Sequence, residues 1–130
     1  MGMYTEFHMN TLLKKETPER IISLLDKMCK GDVIHEPLPN HPLFCTDRWS
    51  WMLISDSYYF DGDTRSTLRF DKIANQYYLN IQCNLKNYNR EIEKFIDWIM
   101  PYIDNKPGSF LGYMRSELRN EPTLIYVKEQ

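Results

Sequence analysis

With 42% hydrophobic and 26% charged residues, the 130-residue chain has the composition of a globular protein, and residues 1–130 suffice for one domain with its own core. Sixteen Lys and Arg against eighteen Asp and Glu leave a formal net charge of −2, and the basic residues are scattered, which disfavours nucleic acid as a partner. No apolar run approaches the roughly 20 residues of a membrane span, the N-terminus lacks a signal-peptide core, and three cysteines form no framework, so a cytoplasmic protein without membrane contact is expected.

In chain order, Tyr4 to Leu13 alternates weakly and reads as a first strand, suited to a sheet edge. Thr17-Pro18-Glu19 supplies a capping hydroxyl, a proline for the first helical position and an acid facing the positive end of the dipole. Ile21, Ile22, Leu24, Leu25, Met28 and Cys29 make the apolar stripe of that helix, and Gly31 ends it. Asp32 to Asp47 has little periodicity and holds Pro37, Pro39 and Pro42. It reads as a functional loop or as a segment strapped over the sheet by Val33, Ile34, Leu38, Leu43 and Phe44.

Arg48 to Phe60 reads as a long strand, with Trp49, Trp51 and Leu53 on one side, returning through an Asp61-Gly62 hairpin into Thr64 to Ile73. Ala74-Asn75-Gln76 turns into the most regular stretch of the chain. There Tyr77, Leu79, Ile81, Cys83 and Leu85 alternate with Tyr78, Asn80, Gln82, Asn84 and Lys86, as in a strand with one dry and one wet face. Asn89 is placed to cap a second helix, whose apolar side is Ile92, Phe95, Ile96, Ile99 and Ile103. Pro107-Gly108 breaks the chain, and Phe110 to Glu117 with Thr123 to Lys128 form a closing hairpin. The order β-α-β-β-β-α-β-β predicts an α+β fold, a mainly antiparallel sheet with two helices on one face.

Candidate chemistry is sparse. His35, His41 and Cys45 share the Pro-rich loop with acids, a set zinc favours, but their spacing matches no metal motif and a second Cys/His pair is missing. Asp56, Asp61 and Asp63 cluster near the hairpin tip, where turn geometry already explains Asp61-Gly62. Five dispersed glycines form no phosphate loop, Cys45 and His41 lie in no nucleophile signature, and Cys83 is expected inward and inert, so neither a catalytic residue nor a cofactor is assigned.

The rings are the best lead. At 14% of the chain, with nine Tyr, six Phe and three Trp, they exceed what a core of this size consumes unless a second layer covers the sheet. Trp49, Tyr58, Tyr78, Trp98 and Tyr113, with Arg115 and Glu117 beside Tyr113, are the candidate partner-binding residues. A cross-strand ion pair is the plain alternative for Arg115 and Glu117.

The segments Cys83-Asn84-Leu85-Lys86-Asn87-Tyr88, Phe95-Ile96-Asp97-Trp98-Ile99, Pro101-Tyr102-Ile103, Phe110-Leu111-Gly112-Tyr113-Met114-Arg115 and Glu121-Pro122-Thr123-Leu124-Ile125-Tyr126 resemble small bacterial and prophage-borne α+β proteins, some of immunity-protein type. The resemblance carries over no functional residue. It implies a bacterial, non-enzymatic module that binds another protein. Three readings stand: that binder, possible in immunity form; a small enzyme or metal-dependent protein with its site at Asp32 to Asp47; and a homodimer formed by pairing the first or last strand with its symmetry mate.

Overall fold

The computed structural model describes residues 4–57, 60 and 64–128. Five antiparallel strands form one sheet in the order β2-β3-β1-β4-β5, where β1 is Tyr4–Leu12, β2 Thr67–Asp71, β3 Gln76–Lys86, β4 Phe110–Ser116 and β5 Thr123–Tyr126. Two α-helices, α1 (Glu19–Lys30) and α2 (Glu91–Ile99), bury their apolar faces on one side of it, in a single core cluster. The fold is therefore α+β, as the periodicities predict.

Sheet alternation sets the core. Leu79, Ile81, Cys83 and Leu85 of β3 are buried, and across the register Phe7 faces Cys83, Met9 faces Ile81 and Thr11 faces Leu79, so both strands turn the same parity inward. The first strand is not an edge. β1 is paired with β3 on one side and β4 on the other, which removes it as a dimerisation edge and leaves β2 and β5 at the margins.

The helices depart from their predicted caps while keeping their stripes. All six predicted apolar residues of α1 are buried, and Gly31 closes it at φ 71°. Pro18, at ψ 142°, is the N-cap rather than the first helical residue, and Thr17 donates its hydroxyl to the Lys14 carbonyl at 2.7 Å instead of capping. At α2 the capping oxygen belongs to Asn87, which accepts from Ile92 N–H at 2.9 Å; Asn89 instead reaches Asp47. A left-handed Arg90 (φ 57°) makes the approach. Ile103 falls beyond the helix, in a bridge with Leu13.

The largest correction concerns Arg48 to Phe60. Trp49–Ile54 is a 3-10 helix, so the order has one strand fewer than predicted. Alternation would put Trp51 on the same face as Leu53, yet Leu53 is fully buried and Trp51 is half exposed. Met52 and Leu53 point in together, three and four residues from Trp49, which is helical and not strand geometry. The edge of β3 beyond Asn80 is met instead by single bonds, Arg65 N–H to Gln82 O, Gln82 N–H to Ser66 Oγ and Asn84 N–H to Ser55 O. The Asp61-Gly62 turn and Asp63 lie outside the described residues.

The Pro-rich loop is a strap, and it lies against the helices rather than the sheet. Leu43, in a short 3-10 turn (Pro42–Cys45), is fully buried, and Ile34 and Phe44 pack on the core. Val33 and Leu38, the other expected anchors, are exposed. The strap is tied to α1 through Lys27 and Glu36 and to α2 through His41 and Asp97, 2.9 Å apart. Phe44 stands edge-on between Trp49 (centroids 4.9 Å apart) and Trp98 (5.2 Å).

Beneath this cluster Glu91 is wholly buried, with Arg48 Nη1 3.5 Å from its carboxylate and Asn89 N–H bonded to the other oxygen. Removing one partner of such a pair strands a charge away from water. Arg48→Met should cost about 3–5 kcal/mol in denaturant unfolding, and adding Glu91→Gln should recover most of it; equal loss in single and double variants would contradict this. Gly112 sits where the β4–β5 register shifts, and a Cβ there would lie 1.8 Å from the His8 carbonyl oxygen of β1. Gly112→Ala should therefore destabilise by at least about 3 kcal/mol, read as a shifted denaturant midpoint.

Candidate functional site

Because side chains alternate along a strand, the parity that buries Phe7 and Met9 turns Glu6, His8 and Asn10 to the sheet face without helices. Their cross-strand neighbours on β4 are Arg115 and Tyr113, and beyond Tyr113 on β5 comes Leu124. Tyr126, the next residue of that parity, pairs with Phe110. Phe110, Leu124 and Tyr126 are 56%, 48% and 47% exposed, and the Phe110 and Tyr126 rings meet edge-on at 5.9 Å. Tyr113 lies parallel to the His8 imidazole, centroids 4.8 Å apart and planes 9° apart. Partial burial, with the Glu6 carboxylate adding to it, holds the Tyr113 phenol above the usual tyrosine range, so it remains a neutral donor.

One end of this row is polar and fixed. Arg115 Nε donates to Glu6 at 2.8 Å, its Nη1 donates to the Arg119 carbonyl at 3.1 Å, and its guanidinium lies over the Phe60 ring at 5.2 Å. The cross-strand ion pair anticipated for Arg115 is thus formed with Glu6, not with Glu117. Glu117 follows β4, donates its N–H to the Tyr4 carbonyl at 3.0 Å, and has its Oε2 shut from solvent without a hydrogen-bond partner among the described residues.

The other sequence candidates divide. Tyr78 is on the open face, but across the sheet at the β2 side, with Arg69 over its ring at 5.3 Å. Trp98 is buried, against the expectation of a surface ring, because Phe44 and Phe95 both pack on it. Trp49 is partly buried in the same cluster. Tyr58 lies outside the described residues. Sequence reasoning missed Phe110 and Leu124; the signal available was the parity of the last hairpin, where Ile125 inward forces Leu124 and Tyr126 outward.

The Pro-rich segment does border a cleft of about 630 Å³, lined by Asn40, His41, Pro42, Cys45, Thr46, Asp47, Asn89 and Lys94. The His41 ring, however, is fully engaged. Its Nδ1 accepts from Leu43 N–H at 3.1 Å, which leaves the proton on Nε2, 2.9 Å from Asp97 Oδ2. Neither nitrogen is left to activate Cys45 or bind a metal. Among the described residues no three His, Cys, Asp or Glu side chains gather to hold a metal ion. His35, His41 and Cys45 do not form the ligand set their clustering in sequence suggested.

The thiols differ in the same way. Burial drives the Cys29 thiol up to about 12, with Asp26 adding to it, and burial raises the Cys83 thiol as well, so both stay protonated and unreactive; Cys45 is exposed. An aromatic disulfide reagent at pH 8 should titrate one thiol per folded chain and all three after unfolding. A second fast thiol in the folded protein would contradict that burial. No protein-family model matches the chain, and no curated protein or solved structure matches it either.

Proposed function

We propose that the protein is a non-catalytic binding module whose partner is another protein, held against the helix-free sheet face at β4 and β5. The observation that carries this reading is the contiguous row of Phe110, Leu124 and Tyr126, each about half exposed, continued by the stacked Tyr113 and His8. Of the other exposed apolar residues, Val33, Ile73 and Leu118 are single side chains at connections, while Trp51, Phe70 and Tyr88, also about half exposed, lie on other elements, Phe70 edge-on to Tyr77 and Tyr88 beneath the Arg48 guanidinium. Grouped rings with a polar margin are the composition of an interaction hot spot.

Rigidity favours binding there. Tyr113 is already stacked, Arg115 is held by three contacts, and both sit on β4, paired with the central strand β1, so little side-chain freedom remains to be lost on association. The resemblance of the C-terminal segments to immunity-type proteins suggests a bacterial toxin as that partner, with inhibition by occlusion rather than chemistry.

A photo-crosslinking amino acid placed at position 110 or at 126 should capture the same single protein in the native cells, while one at Ile73, 99% exposed on the β2–β3 turn, should not. Phe110→Glu combined with Leu124→Glu should abolish capture from 126 and leave the unfolding midpoint within about 0.5 kcal/mol of wild type, as exposed substitutions do. Equal labelling from all three positions would overturn the proposal.

A further inference from the structure

On the opposite side of the molecule from the open sheet face, a cavity of about 510 Å³ lies between α1 and the strap. Its volume falls in the range of roughly 300–1,000 Å³ typical of small-molecule sites. Ile21 and Leu24 of α1, Pro37 and Leu38 of the strap, and Tyr102 give it apolar walls. Two charged residues line it, Arg20 and Glu36, and their situations differ.

Glu36 is already satisfied in charge. It accepts a hydrogen bond from Lys27, which holds its carboxyl below the usual carboxylate range, and its second oxygen is shut from solvent with no hydrogen-bond partner among the described residues. Arg20 is exposed and makes no ion pair among the described residues. The uncompensated charge of the cavity is therefore positive, a planar fork of donors beside an apolar wall. Guanidinium matches carboxylate geometry with two parallel hydrogen bonds. A phosphate monoester, with its second charge, would call for another cation, and none lines the cavity.

We propose that this cavity is a binding site for a small amphipathic carboxylic acid, its carboxylate on Arg20 and its aliphatic or aromatic body between Leu24, Leu38 and Tyr102. A free acid and the acid end of an apolar amino acid or short peptide share this chemistry. They differ in the ammonium, which would compete with Lys27 for the Glu36 carboxylate. Plain monocarboxylates should accordingly bind better than zwitterions of equal size.

Calorimetry and amide NMR with octanoate, octanamide and leucine test this on the intact chain. Octanoate should bind saturably and shift amides around Arg20, Leu24 and Leu38, with octanamide and leucine each at least tenfold weaker. Arg20→Gln should weaken octanoate about tenfold, equivalent to roughly 1.4 kcal/mol, without changing octanamide, and Leu38→Ser should weaken both. Equal affinity for octanoate and octanamide would overturn the assignment of Arg20. Leucine binding as tightly as octanoate would overturn the preference for a plain acid, and shifts confined to another surface, or no saturation at millimolar octanoate, would overturn the site. All these readouts are independent of the β4–β5 face, whose variants should bind octanoate unchanged.

Discussion

The edge-on contact of Phe7 with Phe95, ring centroids 6.0 Å apart, joins the central strand to the second helix, and the arrangement of the rest follows from it. β1 is hydrogen-bonded along both edges, so it cannot rotate to bring other residues inward. Once Phe7 is inside, a period of two places Met9 and Leu13 inside as well, and turns Glu6, His8 and Asn10 outward. A slip of one residue would exchange the two sets entirely. The dry core and the open face are therefore two results of one register, and the face proposed to bind is specified as strongly as the core.

Where a segment has one clean period and a partner of matching period, its structure was legible. The stripe from Ile21 to Cys29 survives intact, and the alternation from Tyr77 to Leu85 survives except at Asn84, which is buried on the side expected to be wet, because each segment buries one side and the sequence marks which. Helix ends were legible only in part. Gly31 is needed for a positive φ that the backbone alone demands, whereas the cap of α2 had two nearby asparagine side chains to choose from, Asn87 and Asn89, and the left-handed Arg90 selects Asn87. Local pattern does not distinguish among such equivalents.

Trp49 to Ile54 shows the opposite case. Large apolar residues in a continuous run fit a buried strand and a buried helical turn equally well, since with nearly every position apolar neither period stands out. What decides between them is tertiary. β2 takes the margin of β3 only from Gln76 to Asn80, and the run packs against α1, α2 and the remaining length of β3, with Arg48 just before it paired to Glu91. Trp98 was misplaced for a related reason. The helical stripe is drawn from α2 alone, while the residue that covers Trp98, Phe44, comes from a strap more than fifty positions earlier in the chain.

The strap decides how the surplus of rings is shared. It could have spread over the sheet, consuming the tyrosines there. Instead Leu43 enters the core at the helix side, and Phe44 engages Trp49 and Trp98, so two of the three tryptophans are withdrawn from the surface. Nothing comparable reaches Phe110, Leu124 and Tyr126 among the described residues, although Phe60 does come over Arg115 at the neighbouring end. Exposed rings of this kind are costly to a chain that gains nothing from them, because the same residues at a sheet margin invite misassociation. β5 carries two of these residues, Leu124 and Tyr126, along a strand edge that is short, four residues, and begins directly after Pro122, which limits edge pairing while leaving the side chains displayed. Display without an extended edge is what recognition through side chains requires, and it separates this face from the continuous backbone edge that a sheet-extending dimer would need.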